Sequence, residues 1–180
     1  MRPPAKRKSV SHDLPEVDAP DLVRRRTFQR AIKLLSAKPR STAELRDRLL
    51  EGPGTNEAVV EIVISRLWEY GYLDDERFAV SYASSQVRQK PVGRRRLEQE
   101  LRMKKVDPKV AHEALDVVFA ETSEADLIDR AIEKRIRIRG RPKSRAEAKS
   151  LFDHLLRQGF PYELVVDRVR AVSKDELVED

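Results

Sequence analysis

The sequence contains no cysteine, and this absence excludes several classes of protein. Without thiols there is no disulfide framework, no cysteine zinc site and no thiolate nucleophile, a pattern that suits a reducing cytoplasm. Glycine is scarce, with six in 180 residues, and aromatic residues make up only 6%. No apolar run approaches membrane-spanning length, and no signal-peptide pattern opens the chain. We therefore expect a cytoplasmic protein without a membrane partner.

Motifs that mark enzymes and metal sites are also missing. His12, His112 and His154 stand apart without metal-ligand spacing, and there is no Walker A loop, no GxGxxG and no HExxH. The neighbouring carboxylates Asp74 and Asp75 suit acid–base chemistry or a metal, but acids at such a position more often cap a helix. We expect no catalytic residue, no cofactor and no metal.

What the sequence does contain is charge. Charged residues make up 38% of the chain, and the formal net charge is +6. A basic excess of this kind points to a polyanionic partner. Since glycine is scarce and charge abundant, the composition favours exposed amphipathic helices over a sheet with many tight turns.

Apolar residues recur at spacings of three and four through most of the chain, which predicts amphipathic helices. Two stretches leave a strand open as an alternative. VVEIVISRLW, residues 59–68, is rich in β-branched residues, but its helical spacing runs for over ten residues. RIRIRG, residues 135–140, alternates twice, which is too little to overrule the helical pattern leading into it. We predict helices at both places.

A weak internal repeat sets the expected architecture. KPRSTAELRDRL begins at Lys38, KPVGRRRLEQEL at Lys90 and RPKSRAEAKSLF at Arg141, at intervals of 52 and 51 residues. Each stretch lies between two amphipathic segments, and a turn and a third such segment follow. The prediction is an all-α chain of three tandem three-helix repeats that resemble helix-turn-helix units. Their expected bounds are 21–73, 74–120 and 121–172, between a basic, proline-rich disordered tail at 1–20 and an acidic tail at 173–180.

The second repeat differs from the others where its middle helix begins. Ser41 with Glu44, and Ser144 with Glu147, have the spacing of a capping box, whereas the aligned residues of the second repeat are Gly93 and Arg96. Helix N–H groups beside arginines form an anion site, so we predict that this helix start binds a phosphate. The alternative is a solvated basic face balanced by i,i+4 ion pairs. Restoring the serine and glutamate is expected to stabilise the helix.

Basic clusters surround two of the repeated loops. Between residues 88 and 107 there are eight Lys or Arg and three acids, and between 134 and 149 there are eight and one. Charge runs are usually solvated faces, but these two occupy the same place in successive repeats. The residues predicted to bind nucleic acid or a nucleoprotein filament are Arg88, Lys90, Arg94, Arg95, Arg96, Arg102, Lys104, Lys105, Arg137, Arg139, Arg141 and Lys143.

Two motifs resemble those of the RecX family. They are GYLDDERFA at 71–79, followed by a basic segment and LEQEL at 97–101, and AIKLL at 31–35, followed by Pro39-Arg40 and Glu44-Leu45. The match covers about residues 28–120, and the third repeat is looser. Pro91-Val92 departs from the glycine that usually follows the family signature.

The resemblance implies a non-enzymatic regulator of the RecA recombinase. It implies three-helix repeats in an elongated, curved array that binds RecA, lies in the groove of its filament and suppresses ATPase activity and strand exchange in DNA repair, recombination and the SOS response. It also implies nonspecific binding of single- and double-stranded DNA, and we expect a monomer. Two alternatives stay open, namely a stand-alone DNA-binding protein acting at operators and a protein-interaction scaffold whose basic clusters only keep it soluble.

Overall fold

The computed structural model describes residues 19–174, and every regular element in this part of the chain is an α-helix. The expected all-α class is therefore confirmed. None of the described helices is long and apolar enough to cross a membrane. The helices of residues 19–174 are α1 Ala19–Ala37, α2 Thr42–Leu50, α3 Glu57–Glu69, α4 Asp75–Gln89, α5 Arg94–Met103, α6 Pro108–Glu121, α7 Glu124–Arg139, α8 Arg145–Arg157 and α9 Tyr162–Lys174.

Both segments for which a strand was the alternative are helical. Residues 59–68 lie in α3, which begins where the side chain of Asn56 accepts a hydrogen bond from the Val59 N–H at 3.0 Å. Residues 135–139 complete α7. Within α3, Leu67 is fully buried, whereas the side chain of Trp68 next to it is 44% exposed.

The helices pack in three consecutive groups, and we name them the first unit (α1–α3), the second unit (α4–α6) and the third unit (α7–α9). The predicted borders at 21–73, 74–120 and 121–172 stay predictions. Most of the predicted tails, 1–20 and 173–180, falls outside the described residues. The exceptions are residues 19–20, which open α1, and residues 173–174, which end α9.

Two apolar clusters hold these units. The first unit has its own cluster, in which Leu45, Leu49, Val60 and Leu67 are fully buried. The second and third units share one continuous cluster, which extends from Ala79 in α4 to Val169 in α9. The second and third units are therefore joined through a common core, whereas the first unit packs around a core of its own.

The two predicted capping boxes, at the starts of α2 and α8, are formed to different extents. The capping box of α2 is complete, since the Ser41 hydroxyl accepts from the Glu44 N–H at 3.1 Å and Glu44 reaches back to Ser41. In α8, Ser144 accepts from the Glu147 N–H at 3.2 Å, but Glu147 accepts instead from the N–H of Lys143. Only the first half of the predicted box is thus present in α8.

The middle helices of the units meet end to end. At the start of α2, the Ser41 hydroxyl donates to the main-chain carbonyl of Lys104, which follows the last residue of α5. The next N–H, of Thr42, donates to the carboxylate of Asp75 at 2.8 Å. Because Asp75 is the first residue of α4, an acid of the second unit caps the first unit's middle helix.

The second junction repeats this geometry, with main-chain N–H groups in place of the serine hydroxyl. The N–H of Gly93 donates to the Gln158 carbonyl at the end of α8 at 2.9 Å, and the N–H of Arg95 donates to the Gly159 carbonyl at 3.3 Å. Between them, the N–H of Arg94 donates to Glu124, the first residue of α7, at 2.9 Å. The positive end of α5 therefore faces the negative end of α8, an arrangement that the helix dipoles favour.

Glycine at position 93 follows from this close approach. A Cβ atom there would lie 2.4 Å from the carbonyl carbon and oxygen of Gly159. A Cβ at position 159 would in turn lie 2.3 Å from the main-chain nitrogen of Arg96, and Gly159 also has a φ of 88°. The two glycines thus allow the end of α8 to contact the start of α5 directly.

A serine at position 93 is therefore expected to lower stability, although serine is the better helix cap. We expect Gly93→Ser to cost about 2 kcal/mol, because the junction must open to admit the side chain. Thermal melts followed by circular dichroism measure this change. Ser144→Gly, at the equivalent position of the third unit, is the control and should cost only a few tenths of a kcal/mol. A higher melting temperature for Gly93→Ser would contradict the described junction.

Candidate nucleic-acid interface

The start of α5 lacks the free N–H groups on which the predicted phosphate site depended. The N–H groups of Gly93, Arg94 and Arg95 all donate to oxygens of the third unit. The glycine that replaces the capping serine makes room for α8 instead of an anion. An anion at this helix end would have to displace the junction between the second and third units.

The side chains of Arg94 and Arg96 contact neighbouring helices, Arg94 within the second unit and Arg96 at the junction with α8. The guanidinium of Arg94 donates to the carboxylate of Asp116 in α6 at 2.6 Å, so its expected i,i+4 partner is replaced by one from another helix. Arg96 pairs with Glu100 at 3.1 Å, as the i,i+4 spacing predicts, and it also donates to the Arg157 carbonyl of α8 at 3.3 Å. Both side chains are therefore engaged within the protein.

Two further predicted cations belong to the first junction. Lys105 forms an ion pair with Asp47 of α2. The ammonium of Lys104 lies 3.7 Å from Glu44 and 4.9 Å from the centroid of the Tyr82 ring. These contacts bind the end of α5 to the first unit, so that Lys104 and Lys105 have structural partners whether or not they also meet a ligand.

A different group of cations lines a cleft where the loop after α4 passes α7 and α8. Lys90 from the loop faces Lys134 and Arg135 of α7 across a cleft of about 200 Å³, with His154 of α8 on its wall. A neighbouring depression is lined by Arg135 and Arg139, and by one acid, Glu147, which accepts from the Lys143 N–H. We name Lys90, Lys134, Arg135 and Arg139 together the cationic cleft. None of the four forms an ion pair with another residue of the described chain.

The pKa of His154 reports the charge of this surface. Burial is the first cause that lowers this pKa below its ordinary value. The second is the positive charge of Arg135, Arg157 and Arg139, which disfavours a further proton. Since three arginines act on one ring, the cleft is a region of positive potential, and an anion bound there would relieve this repulsion.

The remaining predicted residues do not line the cleft between Lys90 and α7. Arg141 lines the depression beside Arg139. Five others are exposed side chains that form no ion pair with any described residue, and their role in binding stays a prediction: Arg88, Arg95, Arg102, Arg137 and Lys143. Within residues 19–174, no group of three or more His, Cys, Asp or Glu side chains could hold a metal ion.

Lys134 and Arg135 fall in the basic cluster 134–149 but are not among the residues predicted to bind, and no sequence pattern gives His154 a role. A signal for two of them was present, because Ala131, Lys134, Arg135 and Ile138 have the i, i+3, i+4, i+7 spacing of one helix face, and all four line the cleft. The role of His154 depends on α8 packing against α7, which no local pattern reveals. The predicted residues come from runs of charge along the chain, whereas the α7 residues that line the cleft share one face of the helix.

Comparisons with known proteins agree with the repeat architecture. Residues 28–67 match the family described as RecX, first three-helix domain, and residues 74–115 match RecX, second three-helix domain. The chain resembles a crystal structure of RecX from Lactobacillus salivarius with a TM-score of 0.72 at 20% identity, covering 84% of this chain and 97% of that one. A second crystal structure, of regulatory protein RecX, gives a TM-score of 0.71 at 22% identity over 87% of this chain and 74% of that one. At these identities the likeness establishes the fold.

Curated relatives carry the name regulatory protein RecX. The one from Prosthecochloris aestuarii is 34% identical over 136 residues, covering 76% of this chain and 86% of the relative. The one from Mycobacterium sp. strain JLS is 32% identical over 165 residues, 89% of each chain. The one from Bacillus licheniformis is 30% identical over 153 residues, and the match spans only 57% of its length. This chain is thus similar to whole relatives in two cases and to about half of a longer one in the third.

Binding of DNA at the cationic cleft is expected to raise the pKa of His154. In the free protein, a proton titration followed by NMR should give a pKa below the ordinary histidine value, since burial and the three arginines disfavour the charged form. Phosphates in the cleft would offset those arginines and move the pKa upward. His112 in the same spectra reports any general effect of DNA. An unchanged His154 titration at saturating DNA would mean that the phosphates bind elsewhere.

Proposed function

The chain belongs to the RecX family, and from this premise we propose that it regulates the RecA recombinase in DNA repair and recombination. In this proposal the protein binds RecA and its nucleoprotein filament, lies along the filament groove and suppresses ATP hydrolysis and strand exchange. It acts without chemistry of its own, by occupying surfaces that the filament needs.

The cationic cleft is the observation that supports contact with the DNA of such a filament. Lys90, Lys134 and Arg135 converge between the second and third units, Arg139 lies in the neighbouring depression, and no described acid forms an ion pair with any of the four. Cations that neutralise phosphates release bound counterions, which gives affinity without sequence readout. A regulator that must act anywhere on a filament requires this kind of binding.

The repeated junctions support binding along an extended ligand. End-to-end contacts of α2 with α5, and of α5 with α8, hold the three units in a fixed order. A chain of units joined in this way offers successive surfaces to a filament, and the cleft lies at one of the joints. We therefore propose that DNA phosphates meet the cationic cleft while neighbouring surfaces contact RecA.

The regulator proposal predicts loss of RecA ATPase activity. ATP hydrolysis by the RecA of the same organism on single-stranded DNA should fall when this protein is added at substoichiometric to equimolar amounts, because bound regulator prevents a productive filament. The measurement is a steady-state ATPase titration at a salt concentration where RecA alone is active. Unchanged hydrolysis at several-fold excess of the protein would reject the regulator proposal.

Removing charge from the cleft is expected to weaken DNA binding and flatten its salt dependence. The variant Lys90→Gln/Lys134→Gln/Arg139→Gln should bind random-sequence DNA at least tenfold more weakly at low salt. The slope of log affinity against log salt should fall by roughly two, since up to three phosphate contacts are lost. Fluorescence anisotropy between low and moderate salt measures both quantities.

A variant of equal charge change controls for net charge. Arg26→Gln/Lys33→Gln/Arg66→Gln removes three cations from the first unit, away from the cleft. It should change DNA affinity and the salt slope much less. Equal losses in both variants would assign DNA binding to net charge and not to the cleft. A strong preference for one duplex sequence would favour a stand-alone DNA-binding protein instead.

A further inference from the structure

A second concave surface lies between the first and second units. It is a groove of about 470 Å³ beside the loop that joins α1 to α2 and one face of α4. We name it the junction groove, and its lining includes Lys38, Arg40, Tyr72, Arg77, Phe78 and Tyr82. Parts of the two motifs that resemble the RecX family, the Pro39-Arg40 pair and the GYLDDERF stretch, therefore meet in one place. The cationic cleft gives neither motif a role.

Aromatic rings form much of this groove. Phe78 and Tyr82 stack with their centroids 6.1 Å apart and an interplanar angle of 23°. The Tyr82 hydroxyl donates to Glu100 at 3.0 Å, and the ammonium of Lys104 lies over the same ring, so Tyr82 is held in place. Burial and this hydrogen bond raise the pKa of Tyr82 to about 12, which keeps the phenol neutral at physiological pH.

Tyr72 differs from these fixed rings. It lines the groove and is 57% exposed. Its ring packs edge-on against Tyr70, with centroids 6.4 Å apart. Much of its surface is therefore available to a ligand in the groove. An exposed tyrosine beside basic side chains is a stacking platform of the type that unpaired bases use.

The positive charge of the junction groove favours binding of an anion. Lys38, Arg40 and Arg77 line it, and the acid among its lining residues is Asp74, whose carboxylate already accepts from the Arg77 N–H at 2.8 Å. The Nε of Arg40 is shielded from solvent and has no hydrogen-bond partner among the described residues. A shielded donor without an acceptor is costly, and no described acceptor holds the guanidinium of Arg40 at this nitrogen.

We propose that the junction groove binds one nucleotide of single-stranded DNA, with its base stacked on Tyr72 and its phosphate held by Lys38, Arg40 and Arg77. A nucleotide joins the two chemistries that the groove offers, a flat aromatic surface and an anion. Bases of a duplex are already stacked on their neighbours and do not enter such a site. The inference rests on the proposed function in taking DNA as a ligand, and it adds a preference for unpaired strands.

The test uses three DNA probes of equal length: oligo(dT), the same strand with abasic sites in place of the bases, and a duplex. The full chain should bind oligo(dT) more tightly than the abasic strand. Tyr72→Ala should lower the affinity for oligo(dT) at least fivefold, because base stacking is lost. It should leave the affinities for the abasic strand and the duplex unchanged. Fluorescence anisotropy at one fixed salt concentration measures all three.

Two further variants make the result specific to the ring. Tyr72→Phe keeps the aromatic face and should bind oligo(dT) as the parent does. Tyr70→Ala removes a neighbouring tyrosine that is 61% exposed but does not line the groove, and it should leave all three affinities unchanged. Because both tyrosines are exposed, neither variant is expected to unfold the protein, and thermal melts check this.

Several outcomes would overturn the proposal. The first is equal binding of oligo(dT) and the abasic strand by the parent protein. The second is a Tyr72→Ala variant whose affinities for DNA are unchanged. The third is a Tyr72→Ala variant whose affinities for all three probes fall equally. A Tyr72→Ala variant that keeps its DNA affinity but no longer binds RecA without DNA would make the groove a protein-docking surface.

The ATPase titration separates this inference from the proposed function. If the parent binds bases through Tyr72 but leaves ATP hydrolysis by RecA unchanged, the inference about the junction groove stands and the regulator proposal fails. If the parent inhibits RecA without any dependence on bases, the regulator proposal stands and the groove inference fails.

Discussion

The end-to-end contact between middle helices is the constraint on which the rest of the structure depends. At the second junction, N–H groups that a helix start leaves open donate to carbonyl oxygens that another helix end leaves open, and at the first a serine hydroxyl donates to such a carbonyl. Ser41 and Lys104 make this contact at the first junction, and Gly93 and Gln158 make it at the second. Both concave surfaces of the described chain that carry a proposal lie beside these junctions. The order of the units therefore also determines where the ligands of the proposals would bind.

The two junctions join the ends of middle helices through different chemical groups. At the first, a serine hydroxyl bridges the helix ends, whereas at the second the main chains touch and both Gly93 and Gly159 lack a side chain. An acid at the first position of the following unit completes each one: Asp75 for the first and Glu124 for the second. Exposed ion pairs such as Lys105 with Asp47 add little stability. The buried apolar clusters and the satisfied helix ends account for more of the stability of the array.

The helices and their grouping were predictable from the sequence because they depend on local spacing. The periodicity of α3 and α7, the capping box at Ser41 and the repeat interval are all properties of short segments. The state of the N–H groups at the start of α5 was not predictable, since the partners of Gly93 and Arg95 lie more than sixty residues away along the chain. Glycine at a helix start is compatible with an open anion site and with a close helix contact. Only the tertiary packing distinguishes the two.

The same distinction applies to the cations. A count along the chain gives Arg94 and Lys90 equal weight, but Arg94 is paired with Asp116 while Lys90 faces Lys134 and Arg135. Cations that face one another without acids raise the electrostatic free energy of the folded state. On the same wall, burial first and then the charges of Arg135, Arg157 and Arg139 lower the pKa of His154. A bound polyanion removes this cost and releases its own counterions at the same time. Unpaired cations at a joint between units therefore favour binding of a phosphate backbone, whereas paired cations at the neighbouring helix end favour the fold.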